Sequence, residues 1–258
     1  MHAWRAVYHR ALGVYNSPVT GPLLSLIVPA YNEERRLPES LARIRDFVQA
    51  QSYPSEVLII ENGSSDRSFE VAEAFCRAHK GFRVLRATGR GKGLAVKLGM
   101  LEACGELRLM LDADLSMPVE EVSRFLAPLQ SGVPVVIGSR EAPGAVRYNE
   151  PEHRHIGGRA INTMIRLLAL PGLHDTQCGF KGFRAEAAEA LFRRQTITGW
   201  AFDVEILYIA RLLGYQILEL PIPWYYSPQS HVRPLHDALQ MLRDVLTVRR
   251  NARQGRYA

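Results

Sequence analysis

Two carboxylates one residue apart, Asp112 and Asp114 on either side of Ala113, close the apolar run Leu107–Leu111. A hard divalent cation prefers oxygen ligands, and a departing diphosphate needs its growing negative charge neutralised. A carboxylate pair just past a buried strand suits both tasks. Such a triplet also arises by chance at polar loop edges, so its neighbours decide its weight.

Three other polar clusters carry chemistry of the same kind. Pro29-Ala30-Tyr31-Asn32-Glu33-Glu34 joins a rigid turn to an aromatic ring and a carboxylate, which could hold a planar base and accept its N–H. In Glu61-Asn62-Gly63-Ser64-Ser65-Asp66, Gly63 permits a tight turn and Glu61 and Asn62 can bond a base or ribose. Asp66 reads equally well as a helix cap. Gly89-Arg90-Gly91-Lys92-Gly93 can approach an anion closely and offer it backbone N–H groups. Its spacing is not that of a phosphate-loop NTPase, and Gly-x-Gly-x-x-Gly is missing after the first strand, which argues against a dinucleotide oxidoreductase.

The elements that must position these clusters alternate along the chain. Leu23–Val28, Val57–Ile60, Val84–Leu85, Leu107–Leu111 and Val133–Ile137 read as apolar strands. Helical spacing occupies Glu39–Ala50, a stretch from about Ser64 to His79, Gly93–Ala103, Val119–Leu129, Ala160–Leu170 and Val204–Leu213. Continuous apolar strands separated by amphipathic helices predict an α/β fold with a mostly parallel central sheet covered on both faces. Such sheets bind ligands at the carboxyl ends of their strands, and the polar clusters after Val28, Ile60, Leu111 and Ile137 fall there.

At 258 residues, with 47% hydrophobic and 22% charged residues, the chain can bury one substantial core. Three cysteines without C-x-x-C spacing read as reduced thiols in a cytoplasmic protein. No apolar stretch is long enough to cross a bilayer, and Met1–Thr20 lacks a signal-peptide core. The net charge of +6 is mostly arginine: lysine occurs only at 80, 92, 97 and 181. Basic ends suit an anionic membrane surface; no aromatic-basic RNA platform accompanies them, and no nucleic-acid partner is expected. The chain divides into an amphipathic segment and linker (1–22), a main domain (23–226) and a basic helical extension (227–258). His153 and His155 lie in a polar stretch read as a mobile loop over the site.

Taken with Gly138-Ser139-Arg140, Asp175-Thr176-Gln177-Cys178-Gly179-Phe180-Lys181 and Trp200-Ala201-Phe202-Asp203-Val204-Glu205, these motifs resemble inverting family-2 glycosyltransferases of the GT-A fold. The resemblance is closest to the polyprenyl-phosphate branch, dolichyl-phosphate β-glucosyltransferases above all, and runs from about Leu23 to Arg249. It implies that Pro29, Tyr31, Glu33, Glu61, Asn62 and Gly63 line the base pocket and that Lys92 approaches the diphosphate. Asp112, Ala113 and Asp114 would bridge ribose, Mg²⁺ or Mn²⁺ and the diphosphate. The family usually shows Asp-Asp-Gly-Ser where this chain has Glu61-Asn62-Gly63-Ser64, which removes one charge. UDP-glucose is the favoured donor, with GDP-mannose and a soluble acceptor kept as alternatives. An anionic lipid phosphate needs positioning more than a base, a task suited to arginine. Arg140 is the first candidate; Arg159, or the segment holding Ser230 and Arg233, would complete the clamp. Asp175, Lys181 and Asp203 complete the catalytic set, with Asp203 also readable as a helix cap. The implied workplace is the cytoplasmic face of the membrane, reached peripherally.

Overall fold

The computed structural model describes residues 21–151, 162–226 and 234–258, the side chains of 234–239 excepted. Residues 1–20 of the expected amphipathic segment and linker, the His153/His155 stretch, Arg159, Ser230 and Arg233 lie outside the described residues. The strands are β1 (Leu24–Ala30), β2 (Ser55–Glu61), β3 (Phe82–Arg86), β4 (Leu107–Met110), β5 (Val135–Ser139), β6 (Val146–Tyr148), β7 (Lys181–Arg184), β8 (Ile217–Pro221) and β9 (Pro223–Tyr225). Seven of them form one sheet in the order β3-β2-β1-β4-β7-β5-β8, while β6 and β9 pair separately. Within the large sheet only β7 runs against its neighbours, β4 and β5.

Side-chain alternation explains the unbroken apolar runs. Leu24, Leu26 and Val28 point to one side of β1, into a core shared with α1 (Leu37–Gln49) and α4 (Val122–Gln130). Ile27 points to the other side, toward α3 (Lys92–Glu102), α6 (Ala185–Arg194) and α7 (Phe202–Leu212). Both faces are covered, so both are mainly apolar, and the buried polar exceptions Ser25 and Arg108 are hydrogen-bonded. Helix α2 (Ser68–Ala78) flanks β3, a helical turn at 162–168 (α5) buries Ile165, and α8 (Pro234–Arg253) adds Met241, Val245 and Val248 to the second core. Among the described residues no helix is long and apolar enough to cross a membrane.

Two local differences have plain causes. The helix expected over Val119–Leu129 opens as a single 3₁₀ turn, Val119–Glu121, before α4 begins. The strand expected from Val133 starts at Val135, because Pro134 has no N–H to give the ladder. The larger departure is β7. Lys181-Gly182-Phe183-Arg184 is no apolar run, yet it sits between Leu107–Met110 and Val135–Ile137 in register. Reversal puts its first residue, Lys181, beside Met110 and Ile137 at the carboxyl edge.

Candidate active site

That edge gathers residues far apart in sequence. Past β4, Leu115 takes a left-handed conformation (φ 46°) and its N–H returns to the Asp112 carbonyl at 3.1 Å. The tight turn leaves both carboxylates projecting from the strand end. Asp114 Oδ1 accepts the Ser116 N–H at 3.0 Å, and Asp112 Oδ1 lies 2.5 Å from Lys92 Nζ. Burial pushes the Asp112 carboxyl up, but Lys92, then Lys181 and Arg140, outweigh it and hold the group below the usual carboxylate range. Lys92 also sits 5.4 Å from the centre of the Trp200 ring.

Lys92 opens α3, and two glycines make its position possible. Gly91 (φ 136°) packs so tightly on the Thr198 carbonyl that no side chain fits, and a β-carbon on Gly93 would meet Phe202 Cβ at 2.6 Å. Asn62 Oδ1 accepts the Gly91 N–H at 3.1 Å, joining the second polar cluster to the third. These glycines, read from sequence as an anion cradle, serve first to seat the helix against residues 196–202.

The second ion pair is Lys181 with Asp203. Lys181 is 1% exposed; its Nζ donates to Asp203 Oδ1 at 2.6 Å and to the Cys178 carbonyl at 2.5 Å. Asp203 stands in the first turn of α7, capped by no side chain, so its carboxylate serves the ion pair rather than the helix end. Burial raises Asp203 above its ordinary value against the pull of Lys181 and Lys92. The third pair is bidentate: Arg140 Nε and Nη2 donate to Asp175 at 2.6 and 3.0 Å, and the Arg140 N–H adds a third bond at 3.0 Å. Burial opposes both charges, yet each partner overcomes it: Asp175 is held well below its usual range and Arg140 above. Glu219 on β8 fixes Asp175 by accepting its N–H at 2.7 Å. Among the described residues Arg140 Nη1 has no hydrogen bond, and Trp224 lies 5.7 Å beneath the guanidinium.

The Glu61–Asp66 cluster walls a cleft of about 330 Å³, whose lining is completed by Phe69, Glu70, Arg86 and Ala87. Gly63 turns at φ 72°, and Glu61 accepts the Ser64 N–H at 2.5 Å. Asp66 accepts N–H groups from both Glu34 and Ser68, so it ties the loop after β1 to the start of α2. Glu33 is buried and bonded by Arg36 at 2.6 and 2.7 Å, while Pro29 pairs with Ile60 one residue before β1 ends and Tyr31 is half-buried in the loop beyond. Glu219 and Trp224 are absent from the sequence candidates; their contacts with Asp175 and Arg140 depend on partners 44 or more residues away that no local pattern marks.

Could these residues hold a divalent cation? Among the described residues no cluster of three or more His, Cys, Asp or Glu could cage a metal. Two aspartates in tandem fit a different arrangement, in which Mg²⁺ or Mn²⁺ takes one or two carboxylates and completes its shell from phosphate oxygens and water.

Gly179 tests how closely this edge is fitted. A β-carbon there would overlap the Asp112 carboxylate. Gly179→Ala is expected to cost about 1–3 kcal/mol of stability and to lower turnover about a hundredfold by displacing Asp112. Gly21→Ala, where the nearest atom is 3.8 Å away, is the control, and melting and initial-rate measurements on both decide it.

Comparison with known proteins now bears on this geometry. The family model described as "Glycosyl transferase family 2" matches residues 25–192. A dolichyl-phosphate beta-glucosyltransferase of Trichomonas vaginalis is 34% identical over 237 residues, 87% of this chain and 72% of that protein. A dolichyl-phosphate beta-glucosyltransferase of Homo sapiens is 31% identical over 251 residues, 92% of this chain and 77% of that one. A crystal structure of glucosyl-3-phosphoglycerate synthase from Mycobacterium tuberculosis, with Mn²⁺, UDP and phosphoglyceric acid, superposes with a TM-score of 0.64. It is 19% identical and covers 92% of this chain and 79% of its own, a likeness of fold: the GT-A arrangement expected from the sequence.

Proposed function

We propose that this chain, which belongs to glycosyl transferase family 2, moves glucose from UDP-glucose to a polyprenyl phosphate with inversion at the sugar C1. The acceptor phosphate oxygen attacks C1 as the bond from C1 to the diphosphate oxygen breaks, and UDP departs. No proton need be removed, because the attacking oxygen is already anionic at neutral pH. The work is to hold two anions together and offset their repulsion.

One observation carries this reading: the carboxyl edge of the sheet brings Asp112, paired with Lys92 at 2.5 Å, together with Lys181 and Arg140. The base and ribose lie along the cleft beside Glu61, Asn62 and Gly63, with Pro29, Tyr31 and Glu33 behind the loop. Asp112 and Asp114 would hold Mg²⁺ or Mn²⁺, which when bound would neutralise the departing diphosphate. Lys92 stays within reach of that diphosphate. Arg140, anchored on Asp175 through one edge, turns its remaining N–H groups toward the incoming phosphate, and Arg159, Ser230 and Arg233 are assigned to the same acceptor. Lys181 acts from behind, keeping Asp203 ionised next to the sugar and holding the Cys178–Lys181 turn.

The lipid substrate places the enzyme peripherally on the cytoplasmic face of the membrane. The basic residues after His231 and the exposed Val146, Tyr148 and Tyr225 support that placement. Radiolabelled transfer from UDP-glucose and GDP-mannose to dolichyl phosphate, undecaprenyl phosphate and 3-phosphoglycerate tests the whole reading. Label is expected in the lipids from UDP-glucose alone. Transfer from GDP-mannose alone would overturn the donor, and transfer to phosphoglycerate alone the acceptor. Flotation with anionic vesicles checks the membrane contact; a protein left at the bottom of the gradient would refute it.

A further inference from the structure

Tyr257, four residues past the end of α8, is 2% exposed and far along the chain from every residue used so far. Its hydroxyl donates to Glu205 Oε1 at 2.7 Å. Glu205, fully buried, also accepts the Thr196 hydroxyl at 2.6 Å, the Thr196 N–H at 3.0 Å and the Ile197 N–H at 2.8 Å. Asn251 Nδ2 donates to the Thr196 hydroxyl at 3.1 Å, and Arg194 Nε holds the Tyr257 carbonyl at 2.9 Å. Four donors on one carboxylate away from water fix the backbone that supplies two of them.

That backbone in turn grips the start of α3. Gln195 Nε2 donates to the Gly93 carbonyl at 2.9 Å, Lys97 Nζ donates to the Gln195 carbonyl at 2.7 Å, and the Leu94 N–H donates to the Thr198 carbonyl at 3.1 Å. Gly91 and Gly93 leave no slack between the two segments. Lys92 lies between those glycines, and Trp200 at the end of the gripped segment contacts it.

We infer that Tyr257 and Glu205 are positioning residues: their clasp holds residues 195–200 against the start of α3 and thereby sets where Lys92 presents its ammonium to the donor diphosphate. The inference rests on the proposed use of Lys92 for its choice of ligand, and on geometry alone for the mechanical link. Burial first, then Glu205, pushes the Tyr257 phenol up, so it remains a donor throughout the neutral range.

Two single-atom changes in the full chain test the clasp. Tyr257→Phe removes the donor. Glu205→Gln keeps an oxygen for the phenol but turns an amide N–H₂ toward the Thr196 and Ile197 N–H groups. Val248→Ala, fully buried on α8 outside the clasp, supplies a destabilised control. Hydrogen exchange over 91–96 and 195–200 is expected to speed up roughly tenfold in both clasp variants. KM for the nucleotide sugar should rise about fivefold with kcat within about twofold, and the double variant should add little to either single one. The control should lower the melting midpoint without moving either reading. Exchange confined to 250–258 in Tyr257→Phe, or an equal rise in KM for Val248→Ala, would overturn the link. The exchange arm needs no ligand, so it decides the clasp even if the sugar nucleotide proves to be another one.

Discussion

Asp114→Asn is expected to lower turnover by about a thousandfold or more while moving the melting midpoint by less than ~2 °C. The contrast follows from what the side chain touches. Its Oδ1 accepts the Ser116 N–H, and the amide oxygen of asparagine keeps that bond. What disappears is one negative charge at the point where a cation and a diphosphate are to meet. Asp112 would be the less clean test, because removing its charge also strands Lys92. Initial rates with UDP-glucose and Mn²⁺, beside calorimetric scans with and without UDP–Mn²⁺, check both halves. Stabilisation by UDP–Mn²⁺ should vanish with the charge. A variant that still turns over would mean that the cation is held elsewhere.

Lys181→Met should be the most destabilising change at the site, at about 3–5 kcal/mol, because it leaves Asp203 buried with its nearest positive charge gone. The loss comes from the stranded carboxylate more than from the missing attraction. Removing the second charge as well, in Lys181→Met with Asp203→Leu, should therefore recover most of the stability. Activity should not return in the double variant, since the proposal keeps an ionised Asp203 beside the sugar. Denaturant titration of the two single variants and the double one, with transfer rates on each folded protein, separates these effects. A double variant as unstable as Lys181→Met would show that packing around β7, rather than charge, explains the cost.

The part of the edge assigned to the donor is the more legible in the sequence. Strands β1, β2 and β4 are mostly apolar and buried, and the polar residues assigned to the donor follow them directly. Asp112 and Asp114 are adjacent in sequence because the turn that exposes them is adjacent. The acceptor side was read less completely. Its ion pairs join residues 35 and 22 positions apart, Arg140 with Asp175 and Lys181 with Asp203, and nothing local announces either match. Asp203 looked like a helix cap because it lies in a first turn, where caps and functional carboxylates occupy nearly the same positions. The strand β7 was missed because Lys-Gly-Phe-Arg shows no apolar period. Its place is dictated by Phe183 and by the two ladders it completes, a tertiary fact. The glycines at 91 and 93 were noticed for the right reason, close approach, but the body approached is the chain itself.

The reversed strand β7 makes the sheet a composite of two half-sheets with a seam between them. One half carries the turns assigned to a nucleotide, and the other carries those assigned to the recipient. The segment Asp175–Lys181 enters at the seam and ties the two halves together through Arg140 and β7. Descendants of such a protein could exchange recipients by remodelling what lies beyond the seam, leaving the nucleotide half undisturbed.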